Sequence, residues 1–300
     1  MAKKSGGGCL VVVFVVGVLA FGYYKWQHGS SSAPPDGANT GGGTGSYVAL
    51  GDSYTSSPRT GRQAGTPAGC ERSDDNYPHL VSAKLKPAQF ADVSCSGATT
   101  AHLTAAQKTG NGTNPPQLDA VTAETTLVTI GIGGNDVGFF SDAAGCATAH
   151  QEASPCKDRL TAGGHDQLAE RIDATAPKVG AVLDRIHKKA PKAKVVVVGY
   201  PTVLPDGDGC WPTLPFGAGD IAYFREALGK LNKMLEDQAD AHRAGYADTA
   251  TPGKGHDVCS ASDQRWVEGV LPASPAAPLH PNARGEQGMA DAVLAILKLP

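Results

Sequence analysis

The chain is poor in charge. Only 18% of its 300 residues are Asp, Glu, Lys or Arg, and the formal net charge at pH 7 is -3. Nucleic acid needs a basic, aromatic-interleaved face, and none is present. No H-E-x-x-H pair or clustered His/Asp ligand set occurs, so no metal site is expected. Neither a G-x-G-x-x-G turn nor a Walker loop occurs, so no nucleotide cofactor is expected either. The G-x-S-x-G elbow of α/β-hydrolases is missing, which disfavours that way of presenting a serine. No two cysteines stand as Cys-x-x-Cys, which weakens zinc and thioredoxin-like readings. There is no internal repeat, heptad or evident pairing surface, so one globular domain acting as a monomer is expected.

What remains is rich in apolar and small residues. The 41% apolar share is ample for a core, and 38 glycines with 21 prolines suit many tight turns. Lys3 and Lys4 precede an apolar run from Cys9 to Tyr24, at the short edge of what spans a bilayer. Two readings of residues 1–27 stand side by side. As a signal peptide, Ala20-Phe21-Gly22 offers the small residues that a signal peptidase needs. As a retained membrane anchor, it places Tyr23, Tyr24 and Trp26 at the outer interface. Either one exports the rest of the chain, to the cell surface or beyond. Cys9 starts the apolar run rather than ending it, the wrong place for a lipid-bearing cysteine. Residues 28–45 are mostly Gly, Ser, Pro and Thr and cannot bury enough surface to offset ordering entropy, so they read as a flexible linker. Residues 46–300 read as the globular domain.

Without Cys9, six cysteines remain: Cys70, Cys95, Cys146, Cys156, Cys210 and Cys259. An even number in an exported chain implies a disulfide framework, but spacing alone does not select the pairing.

Four short apolar runs each lead into a turn or loop. Tyr47 to Leu50 precedes Gly51-Asp52-Ser53, and Phe90 to Cys95 precedes Ser96-Gly97. Thr126 to Ile132 precedes Gly133-Gly134-Asn135, and Val195 to Val198 precedes Gly199-Tyr200-Pro201. A fifth strand is expected near Gly245 to Thr249. Uninterrupted apolar strands are buried on both faces, as in a parallel sheet. Between them lie helical patterns. Ile221, Phe224, Leu228, Leu231 and Leu235 form a core-facing stripe, with Asp220 as the expected N-cap. Asp166 to Ala190 is amphipathic but contains Pro177, which predicts a kink or two helices. Ala283 to Lys298 reads as a closing helix. The alternation predicts an α/β protein, a three-layer α/β/α sandwich on a central parallel sheet. In such sheets the loops at the carboxyl ends of the strands share one rim, where ligands bind.

Ser53, Gly97 and Asn135 each come directly after a different strand, so this rim gathers a hydroxyl, a backbone-exposing glycine and a side-chain amide. Far downstream, Leu279-His280-Pro281-Asn282 puts a histidine on a loop just before the last helix. A neutral imidazole near pH 7 accepts and returns a proton, which makes His280 the candidate base. A lone histidine is usually a surface residue; His79 and His102 are the rivals, and position disfavours both. Taken singly, Gly97 and Asn135 are turn residues. Together with Ser53 they are the parts of acyl transfer. Asp52 and Asp136, inside the same fragments, read as turn-stabilising acceptors.

In order, GDSY, CSGAT, GIGGND and LHPN resemble the SGNH (GDSL-type) hydrolases, and among them the secreted actinobacterial lipases, phospholipases and esterases. The resemblance covers roughly residues 46–300. It implies a flavodoxin-like strand order and an acyl-enzyme on Ser53 with His280 as general base. It also implies an oxyanion hole built from the backbone N–H groups of Ser53 and Gly97 and the amide of Asn135. The resemblance further implies sequential disulfides: Cys70 with Cys95, Cys146 with Cys156 and Cys210 with Cys259. Many members place an Asp three residues before the histidine. Here that residue is Ala277, and no carboxylate lies between Ser274 and Pro278. The implied arrangement is then a Ser–His dyad with the carbonyl of Ala277 or Pro278 orienting the ring, although Asp257 or Asp263 would serve if folded back.

The expected substrate is an ester or lipid. Two alternatives share the sequence: a polysaccharide acetylesterase at the same site, and a catalytically silent surface binding module. Trp211, Phe216, Phe139 and Phe140 lie in predicted loops near the rim and suit either an acyl groove or a sugar platform.

Overall fold

The computed structural model describes residues 45–298. The expected signal peptide or anchor, and the linker up to residue 44, lie outside these residues. Among the described residues no helix is long and apolar enough to cross a membrane.

Five strands form one parallel sheet: β1 (Ser46–Gly51), β2 (Gln89–Asp92), β3 (Leu127–Gly131), β4 (Lys194–Val198) and β5 (Gly245–Ala247). Their order is β2-β1-β3-β4-β5, with every neighbouring pair parallel. This is the flavodoxin-like order. Three of the connections between strands carry the long helices α1 (Tyr77–Leu85), α2 (Gln167–Lys189) and α3 (Ala218–Ala241), and α4 (Ala283–Ile296) follows β5.

The strand period of two divides the interior into two cores. Val48, Leu50, Val128, Ile130, Val195 and Val197 face one side, where Leu183 and Ile186 of α2 and Phe224 and Leu231 of α3 cover them. Tyr47, Ala49, Leu127, Val196 and Val198 face the other, against Val81 of α1 and Met289 and Val293 of α4. Each Val, Leu, Ile, Phe or Met among them contributes roughly 1.5–3 kcal/mol when fully buried. Both faces must therefore be apolar, which is why these strands read as uninterrupted runs.

Three local expectations change. β2 ends at Asp92 rather than Cys95, yet the chain keeps pairing with β1: Val93 N–H donates to Ala49 O at 3.0 Å and Cys95 N–H to Gly51 O at 3.0 Å. α2 is one helix across Pro177. Proline there removes one donor and leaves the carbonyl of Asp173 without its helical partner, and both residues lie on the solvent-exposed side of the helix. Asp220 does not cap α3, which starts at Ala218 behind Gly217. Its carboxylate instead accepts from Lys157 N–H at 2.8 Å and Cys156 N–H at 3.4 Å.

The disulfides are Cys70–Cys95, Cys146–Cys156 and Cys210–Cys259. All six cysteines sit in segments that leave the carboxyl ends of strands.

Candidate active site

The strand ends fix where the motifs meet. Gly51 lies opposite Gly131 in the β1–β3 register, and Cys95 N–H reaches Gly51 O. A few residues further on, each chain delivers its motif to the same rim. Gly51 has no room for a side chain, since a Cβ would lie 2.1 Å from Thr55 Oγ1 and 2.7 Å from Gly131 O. Ser53 then opens a single helical turn (Ser53–Ser56), capped by Asp52 Oδ1 accepting from Tyr54 N–H at 2.9 Å.

His280 arrives from the far end of the chain. Its Nε2 lies 2.9 Å from Ser53 Oγ and its Nδ1 lies 2.7 Å from Pro278 O. A carbonyl can only accept, so Nδ1 carries the proton and Nε2 keeps its lone pair toward the serine hydroxyl. Ala277 does not orient the ring, because its carbonyl accepts the backbone N–H of His280 at 3.2 Å. Asp257 and Asp263 do not serve the ring either. Asp257 Oδ1 accepts from Cys259 N–H at 2.9 Å, and Asp263 is exposed. Burial lowers the His280 pKa below its usual 6.5, against the opposing pull of the Pro278 carbonyl.

Tyr54 ties the Ser53 turn to the histidine loop. Its hydroxyl donates to Leu279 O at 2.5 Å, and its ring lies 4.8 Å from that of His280. Phe140 stacks on Tyr54 at 4.8 Å and comes within 5.9 Å of His280. Of the four aromatics expected near the rim, Phe140 is the one with a ring contact to His280. Phe139 and Phe216 are core residues and Trp211 is exposed.

Gly97 adopts a positive φ of 75°, in a loop held by Cys70–Cys95 and by Ser96 N–H donating to Cys70 O at 3.0 Å. Asn135 sits on a helical turn (Gly134–Val137), and its Nδ2 donates to Ala98 O at 2.9 Å. That bond joins the Gly97 and Asn135 loops and leaves the amide a second hydrogen. Asp136 braces the same loops, accepting from Thr100 N–H at 2.8 Å and Thr100 Oγ1 at 2.5 Å.

Asp52 is buried, with Oδ2 accepting from Tyr200 Oη at 2.5 Å. Burial pushes its carboxyl up to about 7, although the hydrogen bonds from Tyr200 and Tyr54 oppose the rise. Burial and this neighbouring carboxyl raise the Tyr200 phenol well above its usual range, so it remains a donor. The rival histidines are engaged elsewhere: His79 Nδ1 with Asn76 Oδ1 at 2.6 Å, and His102 Nδ1 accepting from Thr99 N–H at 3.0 Å. Among the described residues one His/Cys/Asp/Glu cluster is tight enough to suggest a metal, Cys146, Cys156 and Asp220. Its two sulfurs are joined in a disulfide. Sequence reasoning assigned no part to Tyr54 or Tyr200, although each stands directly beside a rim turn.

Comparison with known proteins identifies the family. The model of the GDSL-like lipase/acylhydrolase family matches residues 49–287, a stretch that holds Ser53, Gly97, Asn135 and His280. Lipase 2 of Streptomyces coelicolor is 38% identical over 262 residues, which is 84% of this chain and 86% of that protein. The solved phospholipase A1 of Streptomyces albidoflavus NA297 superposes with a TM-score of 0.70 at 29% identity, covering 85% of this chain and 98% of that one. The solved extracellular lipase of Streptomyces rimosus gives a TM-score of 0.70 at 30% identity, with coverage of 85% and 98%. The chain belongs to the GDSL-like lipase/acylhydrolase family, a family of carboxylic ester hydrolases.

Proposed function

We propose that this chain cleaves carboxylic esters of lipids by acyl transfer through Ser53. The carrying observation is the contact of Ser53 Oγ with His280 Nε2 at 2.9 Å, with Nδ1 held by Pro278 O at 2.7 Å. As Oγ attacks the ester carbonyl carbon, Nε2 takes the hydroxyl proton, and the carbonyl oxygen becomes an oxyanion. The donors to that oxyanion are the N–H groups of Ser53 and Gly97 and the second hydrogen of the Asn135 amide. Ser53 is the first residue of its helical turn, so no carbonyl within the turn takes its N–H. The imidazolium returns its proton to the leaving alkoxide, giving the alcohol and an acyl-Ser53 ester. Water then attacks that ester with His280 again acting as base, releasing the acid and restoring the serine.

Half-buried Phe140, stacked on the buried Tyr54 beside His280, and the lipase and phospholipase identities of the relatives favour an acyl chain over a sugar. The three disulfides and the extracellular Streptomyces rimosus lipase favour export, with the protein working as a monomer outside the cell or at its surface. N-terminal sequencing of the mature protein decides between cleavage near Tyr23 and a retained anchor.

The test is Ser53→Ala against nitrophenyl esters of rising chain length and a phospholipid panel, alongside fluorophosphonate labelling. We expect wild type to be labelled and active on longer acyl chains, and Ser53→Ala to be unlabelled and inactive. An unlabelled, folded wild type would mean a binding module, and a sharp preference for acetate would mean a deacetylase.

A further inference from the structure

A second polar chain runs beside the reacting pair and takes no part in the proton transfers. Tyr200 comes two residues after β4, behind Gly199, and is 1% exposed. Its backbone is clamped from α3: Tyr200 N–H donates to Asn232 Oδ1 at 2.8 Å and Asn232 Nδ2 donates to Tyr200 O at 2.8 Å. The hydroxyl accepts the N–H of Gly134 at 2.8 Å and donates to Asp52 Oδ2 at 2.5 Å. An N–H can only donate, so the single phenolic proton goes to the carboxylate. Asp52 immediately precedes Ser53, and Gly134 immediately precedes Asn135. One hydroxyl thus joins the turn that presents the nucleophile to the turn that presents the amide. The other braces of the Asn135 turn lead to the Gly97 loop through Ala98 and Thr100 and to α2 through Arg171, whose Nη1 donates to Val137 O at 2.9 Å, and not to Ser53. The fit is close at Gly134, where a Cβ would lie 2.9 Å from Tyr200 Oη.

We propose that Tyr200 is a positioning residue for ester cleavage, its hydroxyl setting the separation of Ser53 from the Asn135 amide through Asp52 and Gly134. The inference rests on Asn135 acting as an oxyanion donor. Such a donor works only at roughly 2.7–3.1 Å from the developing charge, and a displacement of about 1 Å costs about 100-fold in rate. Tyr200 acts on turnover by holding that distance, without touching the substrate.

A double-mutant cycle on the full chain tests this, with kcat and KM measured on nitrophenyl butyrate for wild type, Tyr200→Phe, Asn135→Ala and the pair. We expect Tyr200→Phe to lower kcat by about 10- to 100-fold with KM within about twofold. In the Asn135→Ala background the same change should remove less than about threefold more, because the positioned amide is already gone. Unchanged kcat in Tyr200→Phe overturns the inference. So does a loss that is undiminished in the Asn135→Ala background, which would mean general loosening of the fold. Full turnover in Asn135→Ala overturns the oxyanion reading underneath, and that arm reports it independently. If Tyr200→Phe fails to fold, Gly134→Ala replaces it, since it presses on the hydroxyl without removing it. The same kcat loss and the same non-additivity are then expected, and unchanged turnover overturns the inference.

Discussion

As the proposed general base, His280 must be neutral to accept a proton and must regain neutrality in every cycle. Burial favours the neutral ring and lowers its pKa below 6.5, while the Pro278 carbonyl, by accepting from Nδ1–H, favours the charged ring and opposes the shift. A carbonyl carries only a partial charge, so it stabilises the imidazolium less than a carboxylate would, and the net direction is downward. The free enzyme therefore keeps the proposed base competent into mildly acidic solution. The acid limb of kcat/KM on a neutral ester should have its midpoint below pH 6.5, since that profile reports free-enzyme groups. A midpoint above pH 7 would indicate a carboxylate partner and contradict the dyad. Asp263→Asn should leave both the limb and the rate unchanged, because Asp263 is exposed and both ring nitrogens of His280 are already engaged.

The histidine loop is held less by regular structure than by one buried acid. Glu268, fully buried, accepts from Asn282 Nδ2 at 2.8 Å and from Ala273 N–H at 2.8 Å, with Arg265 Nη1 3.7 Å away. Its backbone pairs across the loop, Glu268 N–H with His280 O at 3.0 Å and Leu279 N–H with Glu268 O at 3.1 Å. Asn282 also caps α4, its Oδ1 accepting from Arg284 N–H and Gly285 N–H. Asn282→Ala should cost about 2–4 kcal/mol, adding a lost cap of about 1 kcal/mol to a buried acceptor left unpaired at about 1–3 kcal/mol. Urea denaturation measures it, and a loss under 1 kcal/mol would mean the loop holds without this anchor. None of this mesh is legible in the sequence, whereas β1, β3 and β4 are, because a strand buried on both faces writes an unbroken apolar run. Ser53 and His280 stand out by their neighbours, but nothing local shows that they meet across 227 residues. Asp220 reads as a cap for the helix that contains it because its partners lie 63 and 64 residues away. Tyr200 is hidden for the same reason: Asp52 is 148 residues distant. Pro177 misleads because it lies on the exposed face of the helix, as does Asp173, whose carbonyl loses its partner, so neither is forced into an apolar layer.

For the molecule as a whole, the three disulfides fasten the connections at the carboxyl rim, where side-chain contacts replace regular pairing, while the opposite layer depends on a buried carboxyl. Glu286, in the first turn of α4, accepts Tyr77 N–H at 2.6 Å and so joins α4 to α1. Burial raises its pKa from 4.5 to about 8. Between those values the folded chain holds a proton that the unfolded chain has released, so stability falls as pH rises and levels off above about 8. Asp52 acts in the same direction, its pKa raised from 3.8 to about 7. His280 acts the other way: its lowered pKa adds stability as pH rises toward 6.5 and nothing beyond. Above pH 6.5 the two carboxyls are left unopposed by the histidine, and stability should decline toward pH 8. Glu286→Gln keeps an oxygen for the Tyr77 amide but cannot ionise. It should match or slightly trail wild type at pH 5 and exceed it at pH 8.5. Each kcal/mol of advantage raises Tm by about 2–4 °C in a domain of this size. Calorimetry of both proteins at pH 5, 7 and 8.5 measures the gap. A gap that stays constant across that range would mean the carboxyl is ionised in the folded state at every pH, and its burial would then not govern how this protein responds to alkali.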